Sequence, residues 1–123
     1  ISLTSGSSVV FNGVYAKEES LNFYLEEIVN KAAARTDIND ASGFLKNVEN
    51  ELRNYETGGG YVLAELEQIK GQLDLSEVTI KDDKIGIKLK LEIKEKASVQ
   101  DSDLVKVTYI YEKEFYGLVK KSQ

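Results

Sequence analysis

Residues 78–94 read VTIKDDKIGIKLKLEIK, and this stretch decides the fold. Val78 and Ile80 alternate with Thr79 and Lys81. Beyond Asp82-Asp83, Ile85, Ile87, Leu89, Leu91 and Ile93 alternate with Gly86, Lys88, Lys90, Glu92 and Lys94. A strict period of two, with β-branched and aliphatic residues on one parity, describes strands with one buried face and one wet face. The apolar parity switches from even to odd across Asp82-Asp83, as a two-residue hairpin loop requires. In that register Lys81 faces Lys84, Ile80 faces Ile85 and Val78 faces Ile87. Asp accepts positive φ better than most residues, so Asp-Asp can form the turn.

Toward the C-terminus, Val105, Val107, Tyr109 and Tyr111 alternate with Lys106, Thr108, Ile110 and Glu112, a third strand of the same kind. The connection from Ala97 to Asp103 is polar and leaves the second register open. Pairing Ile93 with Val105 sets Glu92 opposite Lys106, which is favourable; a shift of two residues opposes Lys94 to Lys106, which is not.

Toward the N-terminus the period becomes helical. Leu21, Leu25, Ile28 and Ala32 recur at spacings of three and four within a helix expected over 14–36. Asp37, Asn39 and Asp40 form a cap-rich break. A second helix is expected over 40–56, with Ala41, Phe44, Leu45, Val48, Leu52 and Tyr55 on its apolar side. Gly58-Gly59-Gly60 interrupts it, and a third helix is expected over 61–73 with Val62, Leu66, Ile69 and Leu73 inward. The fold class is therefore α+β: two to three N-terminal helices packed on one face of a C-terminal three-stranded antiparallel β-meander. Residues 1–13, opening ISLTSGSS, read as a tether or linker, and 14–123 as a single domain. The expected core is Leu25, Ile28, Phe44, Val48, Leu52, Leu66, Ile69, Ile87, Leu89, Leu91, Val107 and Tyr109.

Composition narrows the chemistry. The 123 residues are 41% hydrophobic and 30% charged, with a formal net charge of −5 and no Cys, His, Met or Pro. Bulk attraction to nucleic acid or an anionic membrane is not expected from a net-negative chain. Without Cys or His there is no thiolate, no imidazole base and no ordinary zinc site. An enzyme would have to work with carboxylates, Lys and Tyr alone, so no catalytic residue, cofactor or metal is expected.

The individual motifs fail the templates of known sites. The Gly58–Gly60 run has neither a phosphate-loop Lys nor the dinucleotide-binding spacing. Asp82-Asp83 and Asp101-Ser102-Asp103 supply too few oxygens for a calcium cage and read as turn residues. Glu18-Glu19 and Glu26-Glu27 are sequence neighbours that do not face each other on a helix. Seven tyrosines mark the margins of a core or an interface.

The wet sheet face carries the one candidate binding surface: Lys88, Lys90, Lys94, Lys106, Thr108 and Ile110. Lysines there also guard a sheet against aggregation. Two functional readings follow. The first is a non-catalytic structural or protein-interaction domain. The alternative is a binding module that uses the lysine face against an acidic protein partner or an anion. The chain does not start with Met, and with its tether-like opening it fits the soluble extracytoplasmic part of an anchored or secreted protein. Membrane contact is then expected only through a segment outside this chain. A helical half followed by an antiparallel meander resembles the element order of pilin-type extracytoplasmic domains, which implies surface or filament assembly. The chain lacks their hydrophobic N-terminal segment and adds helices over 40–73.

Overall fold

The computed structural model describes residues 5–99 and 103–120, with side chains over 12–96 and 106–120. Helix α1 (Ser5–Ala34) is followed by α2 (Ala41–Arg53) and a small hairpin of β1 (Glu56–Thr57) and β2 (Gly60–Tyr61). Two 3₁₀ helices come next, η1 (Ala64–Gln72) and η2 (Leu75–Glu77). The meander β3 (Val78–Lys81), β4 (Lys84–Val99) and β5 (Asp103–Leu118) completes the chain. This is the expected α+β architecture.

The first hairpin has the register derived from the parity switch, Val78↔Ile87, Ile80↔Ile85 and Lys81↔Lys84, and Asp82 takes φ 56° in its turn. The inward residues Ile85, Ile87, Leu89, Leu91 and Ile93 are fully buried against α1 and η1, in one core with the apolar side of α2, which packs on α1. Each such side chain contributes on the order of 1.5–3 kcal/mol by leaving water. Lengths match as well: thirty helical residues span about 45 Å, and sixteen strand residues about 53 Å, so α1 runs along most of the β4–β5 ribbon. Its buried face is Val14, Leu21, Leu25, Ile28, Val29, Ala32 and Ala33. The helix approaches closely at Gly117 of β5, where an added Cβ would lie 2.7 Å from the Ala33 Cβ and 3.0 Å from the Asn30 Cα.

The α1–α2 corner is built from polar groups with assigned partners. The Asp40 carboxylate accepts from the Gly43 N–H at 2.9 Å, the expected cap. Asn39 takes φ 63°. Buried Thr36 donates its hydroxyl to the Ala32 carbonyl and accepts from the Asn47 amide, while its own carbonyl accepts from the Lys120 N–H. Arg35 and Glu51 pair at 2.7 Å across the same corner.

Four expectations are corrected. Helix α1 starts at Ser5, so residues 5–13 of the expected tether are its first turns; with no Pro to stop it, extension of an existing helix adds one hydrogen bond per residue fixed. Residues 1–4, like Asp101, Ser102 and 121–123, lie outside the described residues. The Gly58–Gly60 run does not simply divide one helix from the next: Gly58-Gly59 turns the β1–β2 hairpin, with Glu56↔Tyr61 and Thr57↔Gly60 paired. The third helix is 3₁₀, with three residues per turn, so Leu63, Leu66 and Ile69 line its inner side while Val62 is 49% exposed. The second hairpin, whose register the sequence leaves open, pairs Ile93 with Tyr109, and both strands reach further than expected, to Val99 and from Asp103.

Candidate functional site: the outer face and edges of the sheet

The parity argument places every candidate residue on the side opposite the helices. Lys88, Lys90, Lys94, Lys106, Thr108 and Ile110 are all exposed, Ile110 at 52%. The register decides how they sit together. Across β4 and β5, Lys88 faces Glu114, Lys90 faces Glu112, Glu92 faces Ile110, Lys94 faces Thr108 and Lys96 faces Lys106. The lysines are therefore interleaved with carboxylates. Lys88 lies 3.5 Å from Glu112 and Lys94 3.4 Å from Glu92. Such exposed pairs contribute little to stability and leave the ammonium groups available to a partner. Lys81, Lys84 and Lys96 extend the set to seven exposed lysines against Glu92, Glu112 and Glu114. A surface of net positive charge thus covers the sheet of a chain whose formal charge is −5.

Three residues without a signature in the sequence shape this surface. Strand β3 pairs with β4 only as far as Ile87, so beyond that point β4 has no strand on this side. Gln72 takes over: its Oε1 accepts from the Lys90 N–H at 2.7 Å and its Nε2 donates to the Lys90 carbonyl at 2.6 Å. Gln68 does the same for Glu92, at 3.0 and 2.9 Å. Both glutamines come from η1, whose packing through Leu66 and Ile69 aims them at the strand. An open groove of about 600 Å³ lies over this sealed edge, with Gln68, Gln72, Ser76, Lys90, Ile110 and Glu112 in its lining. The third residue is Tyr116, whose ring covers Gly86 on the outer face and whose hydroxyl donates to Glu114.

On the helix side, Lys17 bridges Glu65 at 3.0 Å and Glu95 at 3.1 Å, tying α1 to η1 and β4. Burial pulls the Lys17 pKa down, but the two carboxylates outweigh it and the net displacement is upward. The second oxygen of Glu65 is buried without a hydrogen-bond partner among the described residues. Tyr111 donates to Asn22 Oδ1 at 3.1 Å and stacks on Tyr109 at 5.4 Å; burial, then the Glu18 charge, push its hydroxyl pKa up. Among the described residues, no three His, Cys, Asp or Glu side chains converge as a metal site, and no helix is long and apolar enough to cross a membrane. No protein-family model, characterised protein or solved structure matches the chain, so the pilin-like element order stands on the sequence alone.

Proposed function

We propose that this chain is a non-catalytic protein-interaction domain that presents the outer face of its sheet to an acidic surface on a partner. The observation that carries the reading is the charge balance: seven lysines against three glutamates on the outer face of the sheet, in a chain that is acidic overall. Ile110, exposed beside the groove, supplies an apolar anchor within a polar rim. Lysine ammoniums on a sheet steer an acidic partner at long range, and the attraction weakens as salt rises.

The test is an amide chemical-shift titration with poly-glutamate as the probe, at low and at high salt. Shifts should concentrate on residues 88–94 and 106–110 and shrink with salt. The Lys88→Glu/Lys90→Glu double variant, which changes the central strand only, should lose them. Shifts scattered over the helices, or none at low salt, would count against the reading.

A further inference from the structure

The two edges of the sheet are treated differently by the fold. On the β4 side, β3 pairs the strand as far as Ile87, and Gln72 and Gln68 satisfy the backbone of Lys90 and Glu92 beyond it. Those bonds also show which way the backbone groups point. Even-numbered residues of β4 turn their N–H and C=O away from β5, so the β4–β5 ladder runs through odd-numbered residues of both strands. The even-numbered residues of β5, from Lys106 to Tyr116, therefore aim their N–H and C=O groups out of the sheet. Among the described residues, no backbone or side-chain group bonds to them.

An open edge of this length is unusual: proteins commonly blunt such edges with charged residues, a proline, a bulge or a short strand, and of these β5 has only the charges. Strand β5 has sixteen residues, no proline and an unbroken register from Lys84↔Leu118 to Val99↔Asp103. Lys113, a charge on its helix-facing side, is held by Glu26 at 3.5 Å.

We infer that this edge pairs with β5 of a second copy of the chain, antiparallel and centred on Ile110. The occupant and the register follow from the order of side chains along the strand. Centring on Ile110 sets Lys106 opposite Glu114 of the other copy, Thr108 opposite Glu112, and Ile110 opposite itself. On the helix side the same register sets Tyr109 opposite Tyr111, extending the stacked Tyr109–Tyr111 pair across the two-fold axis. Centring on Glu112 instead would oppose like charges. Lys106 adds a further reason: within one chain it sits directly opposite Lys96, an unfavourable pair. A carboxylate arriving from the other side relieves that repulsion. The five outward-pointing residues from Lys106 to Glu114 would exchange about ten backbone hydrogen bonds in this register, joining two meanders into one six-stranded sheet. This self-pairing uses the edge of the sheet and does not rest on the acidic-partner reading of its face.

The experiment is sedimentation equilibrium of the 123-residue chain over a range of concentrations, with thermal melts of each variant. Wild type should approach twice 13.7 kDa as concentration rises. Lys106→Glu should be monomeric and at least as stable as monomeric wild type, since it turns the Lys96–Lys106 repulsion into an attraction while opposing Glu114 across the two-fold axis. Lys106→Glu/Glu114→Lys should dimerise again. Ile110→Pro, which removes an outward N–H and leaves the β4 ladder alone, should also be monomeric. A wild type that stays monomeric up to about 1 mM, weaker than any useful affinity, overturns the inference. So does a dimer that Lys106→Glu leaves intact.

Discussion

Gln72 holds the backbone of Lys90 as a neighbouring strand would, accepting from its N–H at 2.7 Å and donating to its carbonyl at 2.6 Å. An exposed strand edge is satisfied in this way by a side chain rather than by another strand, and Gln68 repeats the arrangement at Glu92. Replacing Gln72 with Ala returns those groups to water, at a net cost of about 1–2 kcal/mol for the two bonds. Hydrogen exchange at the Lys90 amide should accelerate while that at Leu91 stays slow. Unchanged exchange at Lys90 would show that the glutamine is incidental.

Leu89 lies at the centre of the buried row of β4, fully covered. Leu89→Ala removes buried methyl groups and leaves a cavity, so a urea titration should show a loss of about 2–5 kcal/mol. The neighbouring change Lys88→Gln, on the wet face, should stay within about 0.5 kcal/mol of wild type. Equal effects at the two positions would mean that the faces are assigned wrongly.

Gly86 is a case where a strand favours glycine. Alanine ordinarily stabilises a strand relative to glycine by roughly 0.5–1 kcal/mol. Here an added Cβ would meet the Tyr116 ring and lie 2.6 Å from the Phe115 carbonyl oxygen. Gly86→Ala should therefore destabilise, by about 1–3 kcal/mol, as overpacking does. Adding Tyr116→Ala should recover only part of the loss, because the carbonyl remains in place. A thermal melt in which Gly86→Ala is the more stable protein would rule this out.

Alkaline pH should weaken the fold. Burial raises the Tyr111 pKa above its ordinary 10.0, and the Glu65 and Glu95 carboxylates raise Lys17 above 10.5 against the opposing effect of burial. Both folded-state values lie above the unfolded ones. The associated stability is complete below the ordinary values and is lost as pH rises through the folded ones. Urea midpoints should fall as pH rises from about 10, and Tyr111→Phe should make the fall shallower. A midpoint independent of pH over that range would contradict the assignment.

The lysine face shows how far residue pattern reaches toward a site. Alternation alone placed Lys88, Lys90, Lys94, Lys106, Thr108 and Ile110 on the outer side, since neighbouring side chains of a strand must point opposite ways. It did not reveal what lies beside what. The interleaving of Lys88 with Glu114 and of Lys90 with Glu112 depends on the β4–β5 register. Any shift by two or four residues keeps every side chain on its own face, so parity cannot choose among them.

By itself, then, the sequence determined the quantities that depend on neighbours along the chain. These were the helical periods of α1 and α2, the strand period after Asp74, the first hairpin pairing Ile80 with Ile85, and the buried row from Ile85 to Ile93. Tertiary structure decided what depends on distant closure. The second hairpin pairs Ile93 with Tyr109, in the register that brings Gly117 under Ala33 and Tyr111 to Asn22. The segment after Gly60 became 3₁₀, which sets Leu63, Leu66 and Ile69 on one side and carries Gln68 and Gln72 to the bare edge of β4. A glutamine side chain carries no mark of the backbone group it will meet; that partner is fixed only when elements 18 to 24 residues apart pack together.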